Sequence, residues 1–252
     1  MLNERANFVA VTTYSRVTLE KMLLTVIVPV YNEASTLATL LARVQETPLE
    51  KEILVVDDGS DEATKEQLAD AISGSISLIT HKKNRGKGAA IRTALSRATG
   101  SAVIIQDADL EYFPEDYIQL ISEYSAKNAK AVYGVRDLSN RSWLMRRGNQ
   151  TMTLATNLLY GSNLADMETC YKLIDRKLFQ SLELKSRRFE IEAEITAKLL
   201  RLGINIYQVP IRYEPREEGK KLTPWDGWPT LKQLFACRSW QSMEDTVSTE
   251  PV

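Results

Sequence analysis

Four short apolar runs rich in β-branched residues recur along the first half of the chain: Leu23–Val30, Glu52–Asp57, Ile76–Thr80 and Ala102–Gln106. Helical patterns separate them at Ser35–Gln45, Asp61–Ile72 and Gly88–Ala98. Runs that are apolar on both faces, alternating with helices, predict an α/β fold with a mainly parallel sheet flanked by helices. A helix over Pro114–Tyr124 and a strand over Ala131–Val135 continue the rhythm, which breaks beyond residue 136. There the expectations are a helix over Met145–Tyr160, a short strand over Thr169–Ile174 and an edge strand over Ile204–Tyr213. Pro210 cannot donate to a ladder, so that last strand belongs at an edge. Phe189–Leu199 alternates apolar and polar like a strand, but its Glu, Ala, Lys and Leu content favours helix, and helix is the expectation. Residues 1–22 mix charges with Thr and Ser and lack the apolar core of a signal segment, so they read as a poorly ordered leader. Residues 23–240 read as one domain with a C-terminal amphipathic segment, and 241–252 as a tail.

The candidate chemistry collects where strands end. Asp107-Ala108-Asp109 follows the fourth strand, with Glu111 just beyond; two carboxylates on one side of an extended segment can hold a hard divalent cation. A calcium loop does not fit, because its required Gly and closing Glu fall on Tyr112 and Ile118. Pro29-Val30-Tyr31-Asn32-Glu33 closes the first strand and Val56-Asp57-Asp58-Gly59-Ser60 the second. Each admits two readings: contacts to a base or ribose, or a turn that caps the next helix. Arg85-Gly86-Lys87-Gly88 opens a helix whose N-terminus, with Lys87, favours an anion. It is neither a Walker A loop nor a dinucleotide fingerprint, since Gly88 and Ile91 occupy the deciding positions. Arg136, Arg141, Arg146 and Arg147 suit a phosphate as a set and a solvated face singly. Asp166, Glu168, Glu190, Glu192 and Glu194 read mostly as helix-surface charges.

Composition narrows the classes. With 32 basic and 33 acidic residues the net charge is −1, so no overall field recruits nucleic acid or an anionic membrane, and anion binding must be local. Two cysteines, Cys170 and Cys237, form no disulfide framework and suit a reducing cytosol. The one histidine, His81, argues against a Ser-His-Asp triad or a poly-His metal site and reads as a surface residue. No apolar run reaches the roughly 18 residues that span a bilayer.

In this order and spacing, Pro-x-Tyr-Asn-Glu, Asp-Asp-Gly-Ser, Arg-Gly-Lys-Gly-x-Ala, Asp-Ala-Asp-Leu, Gly-x-Arg and Val-Pro-Ile resemble the family 2 inverting glycosyltransferases of GT-A fold. Within that family the chain is most similar to the dolichyl- and polyprenyl-phosphate sugar synthases, over about Leu24 to Phe235. The resemblance implies that Pro29, Tyr31, Glu33, Val56 and Asp58 hold the nucleotide, with Lys87, Arg216 and Lys220 or Lys221 nearby. It implies Mg²⁺ or Mn²⁺ on Asp107 and Asp109, around Ala108, with Glu111 as a third ligand. It places Arg136, Arg141, Arg146 and Arg147 toward an acceptor phosphate, and Asp166 and Glu194 toward sugar hydroxyls. The implied substrates are a nucleotide sugar and a polyprenyl phosphate, the implied location is the cytoplasmic membrane surface, and a second copy of the chain is a further implied partner. The nearest rival is a family 2 enzyme acting on a sugar hydroxyl, which would need Asp166 or Glu168 as base. A nucleotidyltransferase would need a Gly-rich loop after the first strand, and that is missing. A non-catalytic nucleotide-sugar sensor is the remaining reading.

Overall fold

The apolar runs become strands of a single seven-stranded sheet. In the computed structural model, which describes residues 22–72, 74–139, 141–216 and 227–241, these are β1 (Leu24–Val30), β2 (Lys51–Asp57), β3 (Ile76–Thr80), β4 (Ala102–Ile105), β5 (Ala131–Arg136), β6 (Lys172–Asp175) and β7 (Ile206–Ile211). The helices are α1 (Ala34–Glu46), α2 (Glu62–Ala71), α3 (Lys87–Leu95), α4 (Tyr117–Ala126), α5 (Trp143–Tyr160), α6 (Arg176–Ser181), α7 (Ile191–Arg201) and α8 (Gly227–Ala236). Pro114–Asp116 forms a 3₁₀ turn ahead of α4, so the expected helix there begins as a tighter element. Most of the expected leader and tail lie outside the described residues, while Met22 packs against the core.

The sheet order is β3-β2-β1-β4-β6-β5-β7. Strands β1, β2, β3 and β4 are mutually parallel, and β7 runs parallel to β5. The expected strand at Thr169–Ile174 is β6, and it is antiparallel to both β4 and β5. All strands except β6 therefore end at one edge of the sheet, and β6 begins there. The order reverses between β1 and β4, and ligands bind outside the carboxyl ends of strands at such a point. As its proline requires, β7 takes an edge, with Pro210 exposed.

Burial follows the sequence pattern. On α1, Leu37, Leu40, Leu41 and Val44 recur at helical spacing and are all buried, each contributing about 1.5–3 kcal/mol on leaving water. Asp61 caps α2, its side chain accepting from the Thr64 amide at 3.0 Å. From Ile191 to Leu199 every residue of α7 is buried. Its Glu192, Glu194, Thr196 and Lys198 are buried with the rest, so the polar positions of this helix mark no solvent-facing stripe.

Candidate active site

The loop after β4 carries Asp107 and Asp109, and several contacts fix it. Thr36 at the start of α1 donates to the Ala108 carbonyl at 2.7 Å, and the Gln106 amide donates to the Asp107 carbonyl at 2.8 Å. Gln106 in turn accepts from the hydroxyls of Tyr117 at 2.5 Å and Tyr171 at 2.6 Å, so this buried amide is held from three directions. Leu110 takes a left-handed conformation, φ 61°, costing a bulky residue on the order of 1 kcal/mol and turning the chain sharply after Asp109. Burial, then the charges of Asp107 and Glu111, pushes the Asp109 carboxyl up to about 7.

Asp107 is the end of a chain of alternating charges. Lys87 Nζ lies 2.8 Å from Asp107 and 3.0 Å from Glu192 Oε1; Lys172 Nζ lies 2.6 Å from Glu192 Oε2. Lys172 is wholly buried, donates to the Met167 and Thr169 carbonyls, and sits 5.0 Å from the Tyr133 ring centroid. Burial opposes ionisation of Asp107, but the Lys87 ammonium outweighs it and holds the carboxyl below its ordinary value. Glu192 and Lys172 were not among the residues singled out for a role. The one signal was a lone lysine inside the apolar stretch Tyr171–Ile174.

The glycine loop faces the same edge. Asp58 accepts from the amides of Arg85 (3.0 Å) and Gly86 (2.7 Å), so its carboxylate organises this loop. His81, expected on the surface, is buried between Asp58 Oδ1 at 2.6 Å and Thr93 at 3.0 Å. The carboxylate beneath β3 explains the correction: a histidine between two polar partners is satisfied in the interior. Gly86 has φ 96°, and a Cβ there would lie 2.3 Å from the Arg187 carbonyl oxygen. Gly86→Ala should destabilise the protein by more than about 2 kcal/mol and weaken nucleotide binding, both readable by denaturant melts with and without nucleoside diphosphate.

The first two arginines are interior groups and not a solvated face. Arg136 donates to both oxygens of buried Asp166, at 2.6 and 2.9 Å, and to Asn149 of α5 at 3.0 Å. Arg141 pairs with Glu111 at 3.1 Å. Both guanidinium groups stand over the Tyr213 ring, 5.2 and 5.0 Å from its centroid. Arg146 is half-buried; Arg147 is exposed, 5.6 Å from the Trp143 ring centroid. Although burial pushes the Asp166 carboxyl up, the charge of Arg136 overrides it and holds the group below its usual range.

The Glycosyl transferase family 2 profile matches residues 25–183, from β1 through α6. The chain belongs to glycosyl transferase family 2. Relatives of this family 2 glycosyltransferase include a polyprenol monophosphomannose synthase of Mycolicibacterium smegmatis, 26% identical over 229 residues, 85% of each chain. Glycosyltransferase AglJ of Haloferax volcanii is 28% identical over 199 residues, covering 77% of this chain and 64% of that protein's length. The undecaprenyl-phosphate 4-deoxy-4-formamido-L-arabinose transferase of Sodalis glossinidius is 26% identical over 201 residues, 77% of this chain and 60% of that one. Among solved structures, glucosyl-3-phosphoglycerate synthase of Mycobacterium tuberculosis with UDP superposes at a TM-score of 0.70, with 17% identity, over 90% of this chain and 84% of that chain. The architecture is the GT-A fold.

Of the residues expected to hold the nucleotide, Pro29 lies within β1, exposed Tyr31 follows that strand, and Val56 is buried in β2. Glu33 forms a two-pronged pair with Arg216 at 2.9 and 3.1 Å, drawing the returning chain over β1. Lys220 and Lys221 lie outside the described residues. Glu111, expected as a third metal ligand, accepts from Arg141, from the Tyr213 hydroxyl at 2.5 Å and from the Arg216 amide at 3.0 Å, so it also ties the loop to the C-terminal segment. The acids expected on helix surfaces or at the sugar need correction. Glu194, expected at the sugar, is buried; it accepts from the Lys185 and Ser186 amides and pairs with Lys198 at 2.7 Å. Asp166, Glu192 and Glu194 are likewise buried and paired instead of lying on a helix surface.

Asp107 and Asp109 suit a hard divalent cation. Their oxygens are hard donors, and the raised Asp109 carboxyl marks a surplus of negative charge that a cation would relieve. Two carboxylates leave coordination positions for substrate phosphates, the usual arrangement for Mg²⁺.

Proposed function

We propose that this glycosyltransferase moves a sugar from a nucleotide-sugar donor, GDP-mannose or a UDP-hexose, to a polyprenyl or dolichyl phosphate with inversion. The observation that carries this reading is the state of Asp166. A hydroxyl acceptor requires a base, and Asp166 is a poor one: both its oxygens accept from Arg136, which lowers its proton affinity. A lipid phosphate has a second pKa of about 6 and is already ionised at neutral pH, so it attacks without one. Relatives named for polyprenol and undecaprenyl phosphate support the acceptor class.

The chain's own groups divide the work. Tyr31, with its exposed ring, and the β1 and β2 ends receive the nucleoside, while Asp58 holds the glycine loop in place for the diphosphate. Arg136, stacked on Tyr213 and fixed by Asp166 and Asn149, presents a preset positive charge to the acceptor phosphate. Arg141, Arg146 and Arg147 extend that charge toward the surface, offsetting repulsion between two phosphates brought close. Asp107 and Asp109 would hold Mg²⁺ or Mn²⁺, which when bound neutralises charge on the departing diphosphate and is worth several kcal/mol as a Lewis acid. Among the described residues no helix is long and apolar enough to cross a membrane, and a lipid-borne acceptor then calls for peripheral attachment at the cytoplasmic face.

Incubating the enzyme with GDP-mannose or UDP-glucose, a divalent cation and polyprenyl phosphate should yield a glycosyl phospholipid of inverted anomeric configuration, readable by mass spectrometry and NMR. The rival is a hydroxyl acceptor with Glu168 as base, since burial raises that carboxyl's proton affinity. Transfer confined to glycan hydroxyls and abolished by Glu168→Gln would replace our reading with that one.

A further inference from the structure

Among the described residues, every large hydrophobic side chain more than half exposed lies on α5 or α8: Trp143 63%, Leu154 58%, Leu158 77%, Trp228 73% and Phe235 54%. On α5, positions 143, 147, 154 and 158 are spaced 4, 7 and 4 apart, which lines them along one stripe of the helix. Trp228 and Phe235, seven apart, share a face of α8. The two helices pack together, with the Tyr160 hydroxyl donating to the Leu234 carbonyl at 2.5 Å. Soluble surfaces rarely gather their exposed apolar side chains in one region without a partner.

The charges say which partner. The chain holds 33 acidic residues, yet neither α5 nor α8 contains one; their charged residues are Arg146, Arg147 and Lys232, with Arg238 just beyond α8. Trp143 at the start of α5 stacks with Arg147, pairing an amphipathic ring with a cation. Apolar stripes on helices whose own charged residues are all positive match an anionic lipid surface, where aromatic and aliphatic groups enter the headgroup boundary and cations meet phosphates. The inner side of α5 presents Asn149 to Arg136 at 3.0 Å, so the proposed acceptor site lies about one helix diameter, roughly 10 Å, beneath the exposed stripe.

We infer that the outward faces of α5 and α8 are the surface by which this protein docks on an anionic lipid membrane. The inference rests on the lipid-phosphate acceptor reading and gives that reading its partner surface. Two variants test it, Trp143→Ser/Leu154→Ser/Leu158→Ser and Trp228→Ser/Phe235→Ser, in flotation with phosphatidylcholine vesicles with and without phosphatidylglycerol. Wild type should float with the anionic vesicles and much less with neutral ones. Each variant should partition at least tenfold less, with unchanged circular dichroism and melting temperature. Transfer to a short, water-soluble polyprenyl phosphate should stay near wild type. Wild type that ignores anionic vesicles would overturn the inference. So would variants that float normally, including ones that instead turn a dimer into a monomer, which would assign the face to a second copy. Flotation is read apart from transfer, so an inactive wild type that still floats refutes the acceptor assignment while supporting the docking face.

Discussion

Asp109→Asn should cripple transfer while making the metal-free protein more stable to heat above pH 7. The carboxyl of Asp109 is raised to about 7 by burial and by Asp107 and Glu111, against about 3.9 in an unfolded chain. The native state therefore binds the proton more tightly than the unfolded state does. This group's contribution to stability is complete below about pH 4 and is lost as pH climbs through 7. Asparagine removes the ionisation, so the gap between variant and wild type should be small at pH 5 and open above pH 7. Because Asp109 is only half-buried, solvent screening limits the gain to about 1–2 kcal/mol, a few degrees in melting temperature for a domain of this size. Mg²⁺ or Mn²⁺ should stabilise wild type by mass action and leave the variant unmoved. Turnover should fall by about 10³-fold, the scale on which a lost electrostatic contact of several kcal/mol is felt. A variant that melts identically at pH 5 and pH 8, or that still gains stability from Mn²⁺, would remove Asp109 from the proposed cation site.

The same carboxylates show how far the residues could be read without coordinates. Parallel strands buried on both faces are written as unbroken apolar runs, so β1, β2 and β4 were legible, and with them the loops that carry Glu33, Asp58 and Asp107. Antiparallel β6 was legible as a strand but not in direction, because direction depends on what the chain pairs with after residue 160. Charged interior residues were misread or passed over for a physical reason. Glu192 and Glu194 look like solvated charges in sequence, Lys172 and Lys198 carry no local mark of a role, and the burial of all four is allowed only by partners the chain brings in on folding. For Lys172 that partner is 20 residues away on another element, a relation no local period expresses. His81 failed in the same way, since Asp58 and Thr93 are its neighbours only in the folded sheet. Arg136 and Arg141 stood out as a cluster, but Tyr213, the ring on which both rest, did not.

Lys172→Met and Glu192→Gln should each be far more damaging alone than together. The row Asp107, Lys87, Glu192, Lys172 alternates in sign and sums to zero charge inside the protein. Methionine at 172 leaves an uncompensated negative charge in that row, and a broken buried pair costs about 3–5 kcal/mol. It also removes the donor from the Met167 and Thr169 carbonyls, a loss that the second substitution cannot repair. Among the described residues Lys87 is then the one cation left paired with Glu192 and is drawn toward it, away from Asp107. The loop that presents Asp107 and Asp109 loosens, and kcat should drop by tenfold or more, with the nucleotide affinity falling in parallel. Glu192→Gln alone leaves Lys87 and Lys172 facing each other without the anion between them, and should cost about as much. In the double variant the row is neutral again and Lys87 remains paired with Asp107 at its near end. Urea melts should therefore show a coupling energy of about 2 kcal/mol or more between the two positions, and kcat should return to within a few-fold of wild type. Strictly additive losses would mean that Lys172 acts only as packing. In that case Lys87 would hold Asp107 without help from the far end of the row.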